Sequence, residues 1–270
     1  MTTRSLHVAQ FTDELITMSQ NLLLLRSLLK HSAGLMKTAW LSVVPCPCLL
    51  CGSENRAMIC SACRQQFFTD ATARCFCCAV PLNPHDRLCG ACLSDAPAFQ
   101  RTWVACNYEP PLDQLVLSLK FGHQLAVAPS LARLLAASVC LAAEPDPALP
   151  DLLIPVPLSR ERLAQRGFNQ ALEIARPLAR LLHLPLYPRL LVRVRDTTAQ
   201  SLLHPNQRRK NILHAFVPDG DYEDKIRHRH VGVVDDVMTT GATLHEIAAC
   251  LKRHGARQVS NLVFARTPPH

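Results

Sequence analysis

The chain has 270 residues, 49% of them apolar, 19% charged and 5% aromatic, enough apolar material for one large or two modest packed domains. Twenty prolines against nine glycines, with no Gly-X-Y or heptad period, exclude collagen-like, glycine-rich and coiled-coil classes. The net charge of +8 is uneven: residues 151–270 carry 18 Lys+Arg against 11 Asp+Glu, and residues 1–150 carry 11 against 10. A basic C-terminal half suits phosphate-bearing or nucleic-acid ligands, although a merely solvated basic surface would look the same.

Residues 1–42 form an extension in which Leu15, Leu22, Leu25 and Leu29 recur at near-helical spacing, which predicts an amphipathic helix without an assigned role. Met18 and Met36 are alternative starts. Asp13 and Glu14 precede the first apolar stretch, so a secretory leader is not expected. No apolar run approaches the roughly 18 residues that a membrane-spanning helix needs. The expectation is a cytoplasmic protein with no membrane span.

Ten of the thirteen cysteines lie between Cys46 and Cys92, and eight of them form four Cys-x2-Cys pairs. The pairs are Cys48 with Cys51, Cys60 with Cys63, Cys75 with Cys78, and Cys89 with Cys92. A two-residue spacing lets both sulfurs of a tight turn face one ion at about 2.3 Å, so two such pairs complete a tetrahedral site. Four pairs therefore predict two structural zinc ions in a double ribbon over residues 43–98. Sequential pairing is preferred, and interleaved pairing remains open. A disulfide scaffold fits poorly, because such scaffolds belong to small secreted domains. Closed four-thiolate sites leave no position for water and are not catalytic. Eight thiolates and two Zn²⁺ would bring the net charge to about +4.

From residue 99 to 270 the pattern becomes that of an alternating domain. A strand is predicted from Trp103 to Tyr108, then helices around Leu112–Lys120 and Val127–Leu141, and a proline-rich turn from Glu144 to Pro150. Beyond it come a strand at Leu152–Val156, a helix at Asn169–Leu182, strands at Leu190–Val194 and His230–Val234, a helix at Thr243–His254 and a strand at Val259–Phe264. Strands alternating with helices predict an α/β fold with a largely parallel sheet, preceded by the small cysteine module.

One segment of this domain carries chemistry. After the apolar strand come Asp235 and Asp236, then Thr239, Thr240, Gly241, Ala242 and Thr243, and then a helix. A loop entering a helix N-terminus offers unpaired N–H groups and the positive end of the dipole, both suited to a phosphate. The threonines add hydroxyl donors, and the C-terminal end of a parallel strand is where open α/β sheets place ligands. Carboxylates just before that loop would repel a phosphate but accept hydrogen bonds from sugar hydroxyls. The order reads as a ribose 5-phosphate site, and the Gly-x4-Gly-Lys-Ser/Thr pattern of a Walker loop is absent.

This run, Val-Val-Asp-Asp-Val-x-Thr-Thr-Gly-x-Thr, resembles the phosphoribosyl pyrophosphate signature of type I phosphoribosyltransferases. With the cysteine module, residues 46–266 resemble the ComF/GntX family. Tyr108 with Leu119-Lys120-Phe121 resembles its early segment, and Pro155-Val156-Pro157, Arg162 and Arg166-Gly167-Phe168-Asn169-Gln170 its pyrophosphate-side loop. Arg193-x-Arg195, Thr197-x2-Gln200, Leu203 and Arg208-x2-Asn211 resemble its central basic loop. The resemblance implies a phosphoribosyltransferase fold that binds phosphoribosyl pyrophosphate with Mg²⁺, in proteins of DNA uptake, competence and DNA utilisation. It implies a transferase with an undefined acceptor. Asp235, Asp236, Arg162 and Arg166 are the expected catalytic group. Lys120, Arg193, Arg195, Gln200, Arg208 and Asn211 are the loop candidates. A non-catalytic adaptor that binds single-stranded DNA or nucleotides, uses the phosphoribosyl site as a sensor and meets other DNA-uptake proteins is the alternative.

Overall fold

A computed structural model describes residues 46–68, 72–122, 124–141, 149–195 and 212–268. The helix predicted within residues 1–42, the loop residues Gln200, Arg208 and Asn211, and most of the proline-rich turn lie outside the described residues. Contacts divide the described residues into two units, 46–48 with 52–60, and 49–51 with the described residues from 61 onward. In the first unit, β1 (Cys46–Pro47) and β2 (Glu54–Asn55) pair antiparallel, Cys46 opposite Asn55. The Cys48 amide donates to the Ser53 carbonyl and the Gly52 amide to the Cys48 carbonyl, both at 2.8 Å, which closes the hairpin.

The second unit opens with two short helices that the apolar pattern does not reveal, α1 (Ser61–Phe68) and α2 (Gly90–Ser94). Then follow β3 (Arg101–Asn107), α3 (Asp113–Lys120), a 3-10 turn (Leu125–Val127) and α4 (Ala128–Leu141). Next are β4 (Leu152–Pro155), α5 (Arg160–Arg166), α6 (Gln170–Leu181) and β5 (Leu191–Arg193). The chain is completed by β6 (Phe216–Pro218), a 3-10 turn (Gly220–Lys225), β7 (His230–Met238), α7 (Ala242–Arg253) and β8 (Gln258–Arg266).

Four of these strands form the sheet expected from the alternation, in the order β3-β8-β7-β4, with every neighbouring pair parallel. Parallel strands covered on both faces read as continuous apolar runs. Accordingly β4 is buried along its whole length, and β8 from Val259 to Arg266. Helices α4 and α6 pack on each other, α4 also on β3 and α6 on β4 and β7. The stripe Ala171, Ile174, Ala175, Leu178 and Ala179 is the buried side of α6, at helical spacing. Truncating Ile174 to alanine there would leave a cavity costing about 2–4 kcal/mol.

Two features lock β7 in the middle of the sheet. A Cβ on Gly232 would stand 2.6 Å from Leu153 Cδ2 and 2.8 Å from Pro150 Cγ, so only glycine allows these chains to close. At the foot of the strand His230 is fully buried. Its amide donates to Asp151 Oδ2 (2.7 Å), and its Nε2 meets Ser260 Oγ at 2.8 Å. Burial pushes the His230 imidazole down to about 4.

One predicted strand sits elsewhere. Leu190–Val194 contributes β5, but β5 pairs antiparallel with β6 in a separate two-stranded ribbon, Val192 opposite Val217, and not in the parallel sheet. A short apolar run reports extended backbone and carries no information on strand direction. The half-open setting, with Val192 43% and Val217 40% exposed, is that of a surface flap. Among the described residues no helix is long and apolar enough to cross a membrane.

Candidate functional site

The C-terminal ends of β4 and β7 open on a cleft of about 460 Å³. One wall is the turn from β7 into α7. Asp235 and Asp236 lie inside β7, which runs four residues beyond the predicted strand end, to Met238. Gly241 caps α7 with φ +80°, a left-handed conformation that strains any other residue. A Cβ there would also stand 2.6 Å from Met238 Cε. Within the turn the Ala242 amide donates to Thr240 Oγ1 at 3.4 Å. Thr239, Gly241, Ala242 and Thr243 line the cleft.

The acids differ in their surroundings. Asp236 is buried and holds Lys120 Nζ at 3.0 Å, a contact made possible because Lys120 ends α3 at the cleft. Asp235 Oδ1 accepts from the Asp236 amide at 2.9 Å. Burial, and then the charge of Asp236, push the Asp235 carboxyl up to about 8, against the opposing pull of Lys120. Two adjacent acids with a single ammonium partner are therefore short of positive charge or of hydroxyl donors.

The opposite wall is α5 and the start of α6. Ser159 Oγ caps α5 by accepting from the Arg162 amide, and Gly167 closes it at φ +76°. This short helix buries none of its own residues and presents Arg162 and Arg166 to the cleft. Burial, then the charge of Arg166, lower the Arg162 guanidinium from its ordinary value. Arg166 donates to Gln170 Oε1 (3.0 Å) and lies 5.8 Å from the centre of the Phe121 ring. Asn169 starts α6, its Oδ1 accepting from the Leu172 amide and its Nδ2 donating to the Val156 carbonyl.

The structure thus gathers Asp235, Asp236, Thr239, Gly241, Ala242, Thr243, Arg162, Arg166, Lys120 and Arg193 around one cleft. It does not bring Arg195 there, since that guanidinium donates to the Leu213 carbonyl at 2.9 Å. Thr240 lies in the same turn, at the edge of a neighbouring hollow with Cys78, His245 and Arg266. Sequence reasoning quoted Gln170 only within a motif and missed Arg266 altogether. Gln170 lines the cleft, and its buried Nε2 is a donor without a partner among the described residues. Arg266 is buried behind the loop and donates to the carbonyls of Cys78 (3.0 Å), Met238 (3.1 Å), Thr239 and Thr267 (2.6 Å). Carbonyl partners leave no trace in a sequence, whereas the caps Ser159 and Gly167 would have revealed α5.

The cysteines gather as their spacing suggests. Cys48, Cys51, Cys60 and Cys63 form one group and Cys75, Cys78, Cys89 and Cys92 the other, the ligand atoms of each within 4.8 Å of one another. Both groups can hold a metal ion. Their sulfurs accept main-chain N–H bonds, Cys48 Sγ from Cys60 and Cys75 Sγ from Cys89, each at 3.4 Å. Burial raises the Cys75 thiol, but N–H donors from Cys78, Cys89 and Cys77 outweigh it and bring the group down to about 7. Such donors favour a thiolate, the form a metal binds. Cys77, Cys106 and Cys250 are outside these groups and buried, their sulfurs on the carbonyls of Phe99, Phe264 and Phe216.

Comparison with known proteins accords with this architecture. A phosphoribosyl transferase domain model matches residues 169–269. Over 210 residues the chain is 39% identical to DNA utilization protein YhgH of Escherichia coli O157:H7, covering 77% of this chain and 90% of that protein. Over 209 residues it is 34% identical to Competence protein F of Haemophilus influenzae, with the same 77% and 90% coverage. Among solved structures it is similar to a glutamine phosphoribosylpyrophosphate amidotransferase from B. subtilis, 14% identical with a TM-score of 0.32, spanning 50% of this chain and 25% of that one. The alternating sheet and the matched domain are those of a type I phosphoribosyltransferase-like fold. Identical at 39% of 210 aligned positions to a relative of which it covers 90%, the chain belongs to the ComF family.

Proposed function

We propose that the cleft binds 5-phosphoribosyl pyrophosphate with Mg²⁺ and that the chain transfers the phosphoribosyl group to an acceptor, releasing pyrophosphate. The observation that carries this reading is the order of groups across one cleft: acids on β7, a glycine-capped helix start beside them, and two arginines on the facing wall. The 5-phosphate belongs on the N–H groups of Thr239–Thr243, and the ribose hydroxyls on Asp235 and Asp236. Arg162 and Arg166 face the pyrophosphate, whose oxygens a guanidinium grips in pairs.

Mg²⁺ suits the donor set. Hard carboxylate oxygens stand in the cleft, and the Asp235 carboxyl lacks enough positive charge around it. Asp235 would hold the ion with the ligand's own oxygens, since Asp236 is engaged by Lys120. The ion neutralises charge on the departing pyrophosphate. The residues supply the rest by position. As the C1–oxygen bond breaks, its electron pair leaves with the pyrophosphate toward Arg162 and Arg166, while the acids face the cationic sugar that forms. Zinc in the two cysteine groups would be structural, because four thiolates complete its shell.

The relatives' names support placing this reaction among proteins of DNA utilisation and competence. Nucleotides or single-stranded DNA are the acceptor-side candidates. Calorimetric titration of the zinc-loaded protein with phosphoribosyl pyrophosphate and Mg²⁺, beside Asp235→Asn and Asp236→Asn, tests the reading. Each variant should lose about 10-fold or more in affinity, the worth of a charged hydrogen bond. Unchanged affinity would overturn it. Binding without pyrophosphate release in the presence of any acceptor would instead assign the cleft to sensing in a DNA-binding adaptor.

A further inference from the structure

We propose that Arg266 is a positioning residue, fixing the phosphate loop against the second cysteine group; this rests on the reading of Thr239–Thr243 as the phosphate site. Arg266 ends β8, paired with Met238 across β7 and with Asn107 across β3, so three strands set the place of its Cα. Its side chain is 8% exposed. Every hydrogen-bond partner it has among the described residues is a neutral main-chain carbonyl, and no carboxylate there pairs with it.

Two consequences follow from elementary geometry and charge. A trans peptide points its C=O and N–H in opposite directions. With the Met238 and Thr239 carbonyls drawn onto Arg266, the amides of Thr239 and Thr240 are turned away from it. One nitrogen, Nη1, holds both loop carbonyls and thus decides which side of the loop carries donors. In addition, carbonyl partners solvate the guanidinium without an ion pair to a carboxylate, so its positive charge stands buried behind the loop. An arriving phosphate meets that charge across the loop.

Of the other two bonds, the one from Arg266 Nε to the Cys78 carbonyl reaches the backbone of a thiol belonging to the second cysteine group. The knuckle that turns around that sulfur is therefore held by the same side chain as the loop. Disturbance of the knuckle backbone reaches the phosphate site through one rigid group, with no intervening flexible segment.

The test compares zinc-loaded wild type with Arg266→Lys, which keeps the charge but cannot span four carbonyls, and Arg266→Gln. Hydrogen exchange over residues 238–243 is read in the absence of ligand, together with zinc content and affinity for phosphoribosyl pyrophosphate with Mg²⁺. Faster exchange of this segment in both variants is expected, by about 10-fold. Two zinc ions should be retained, and the affinity loss should be greater for Gln than for Lys. Exchange as slow as in the wild type would overturn the proposal, and the Lys variant keeps the question open to decision where Gln does not fold. Failure of the wild type to bind the ligand would instead sink the reading of the cleft, while the exchange result would still decide the role of Arg266.

Discussion

The two walls of the cleft are built in different ways. The β7–α7 wall is made of main chain: a strand in register on both sides, a glycine in a conformation other residues resist, and Arg266 beneath it. The α5–α6 wall is made of side chains on a short helix that buries none of its residues, steadied by the contacts of Arg166 with Gln170 and Phe121. A ligand whose two ends differ in fate suits such a pair. The end that stays attached meets fixed amides, and the end that departs meets guanidiniums able to follow it.

Gly241→Val attacks the fixed wall directly. A β-branched residue at φ +80°, with its Cβ 2.6 Å from Met238 Cε, must move the loop. Strain and overpacking together should cost about 3 kcal/mol, and ligand binding should vanish in calorimetry while both zinc ions stay.

Acid should weaken the foot of the same wall. The unfolded chain protonates histidine near pH 6.5, whereas buried His230 resists until about 4, so the folded state binds fewer protons in that window. Stability should be unaffected above pH 6.5 and fall by up to about 3 kcal/mol as the pH drops toward 4. Because thiolates also protonate in acid, the reading is the difference in urea midpoint between wild type and His230→Gln across the window.

Arg166→Gln changes the adaptable wall and should split the kinetics. Ground-state binding should weaken little, since the phosphate and sugar contacts remain. Turnover should drop by about 2 kcal/mol of barrier, roughly 30-fold, because the departing charge loses a charge-assisted hydrogen bond. Equal losses in kcat/KM and affinity, with kcat intact, would mean that both walls act on the ground state.

How much of this could be read from residues alone follows the same division. Asp235, Asp236 and the threonine loop were legible, because an apolar run ending in acids and glycine has few other uses. The four Cys-x2-Cys pairs were equally plain. The arginine wall was only partly so: Arg162 and Arg166 stood out by resemblance, but their helix buries none of its residues and lacks the apolar period that reveals most helices. Arg193 and Arg195, two residues apart, looked equivalent, yet Arg193 lines the cleft and Arg195, just past β5, donates to the Leu213 carbonyl. Arg266 was invisible, for its partners lie up to 188 positions away and are groups that every residue possesses.

The Lys120–Asp236 contact has a bearing on rate as well as on affinity. On the function proposed above, the ammonium occupies the carboxylate that a sugar hydroxyl would claim, so entry would be a displacement and not an addition. The first encounter, at the loop, should be followed by a slower rearrangement as Lys120 gives way. Observed association would then level off with rising ligand concentration. The same swap keeps Asp236 partnered at every stage, so this buried charge is never left bare between one ligand and the next.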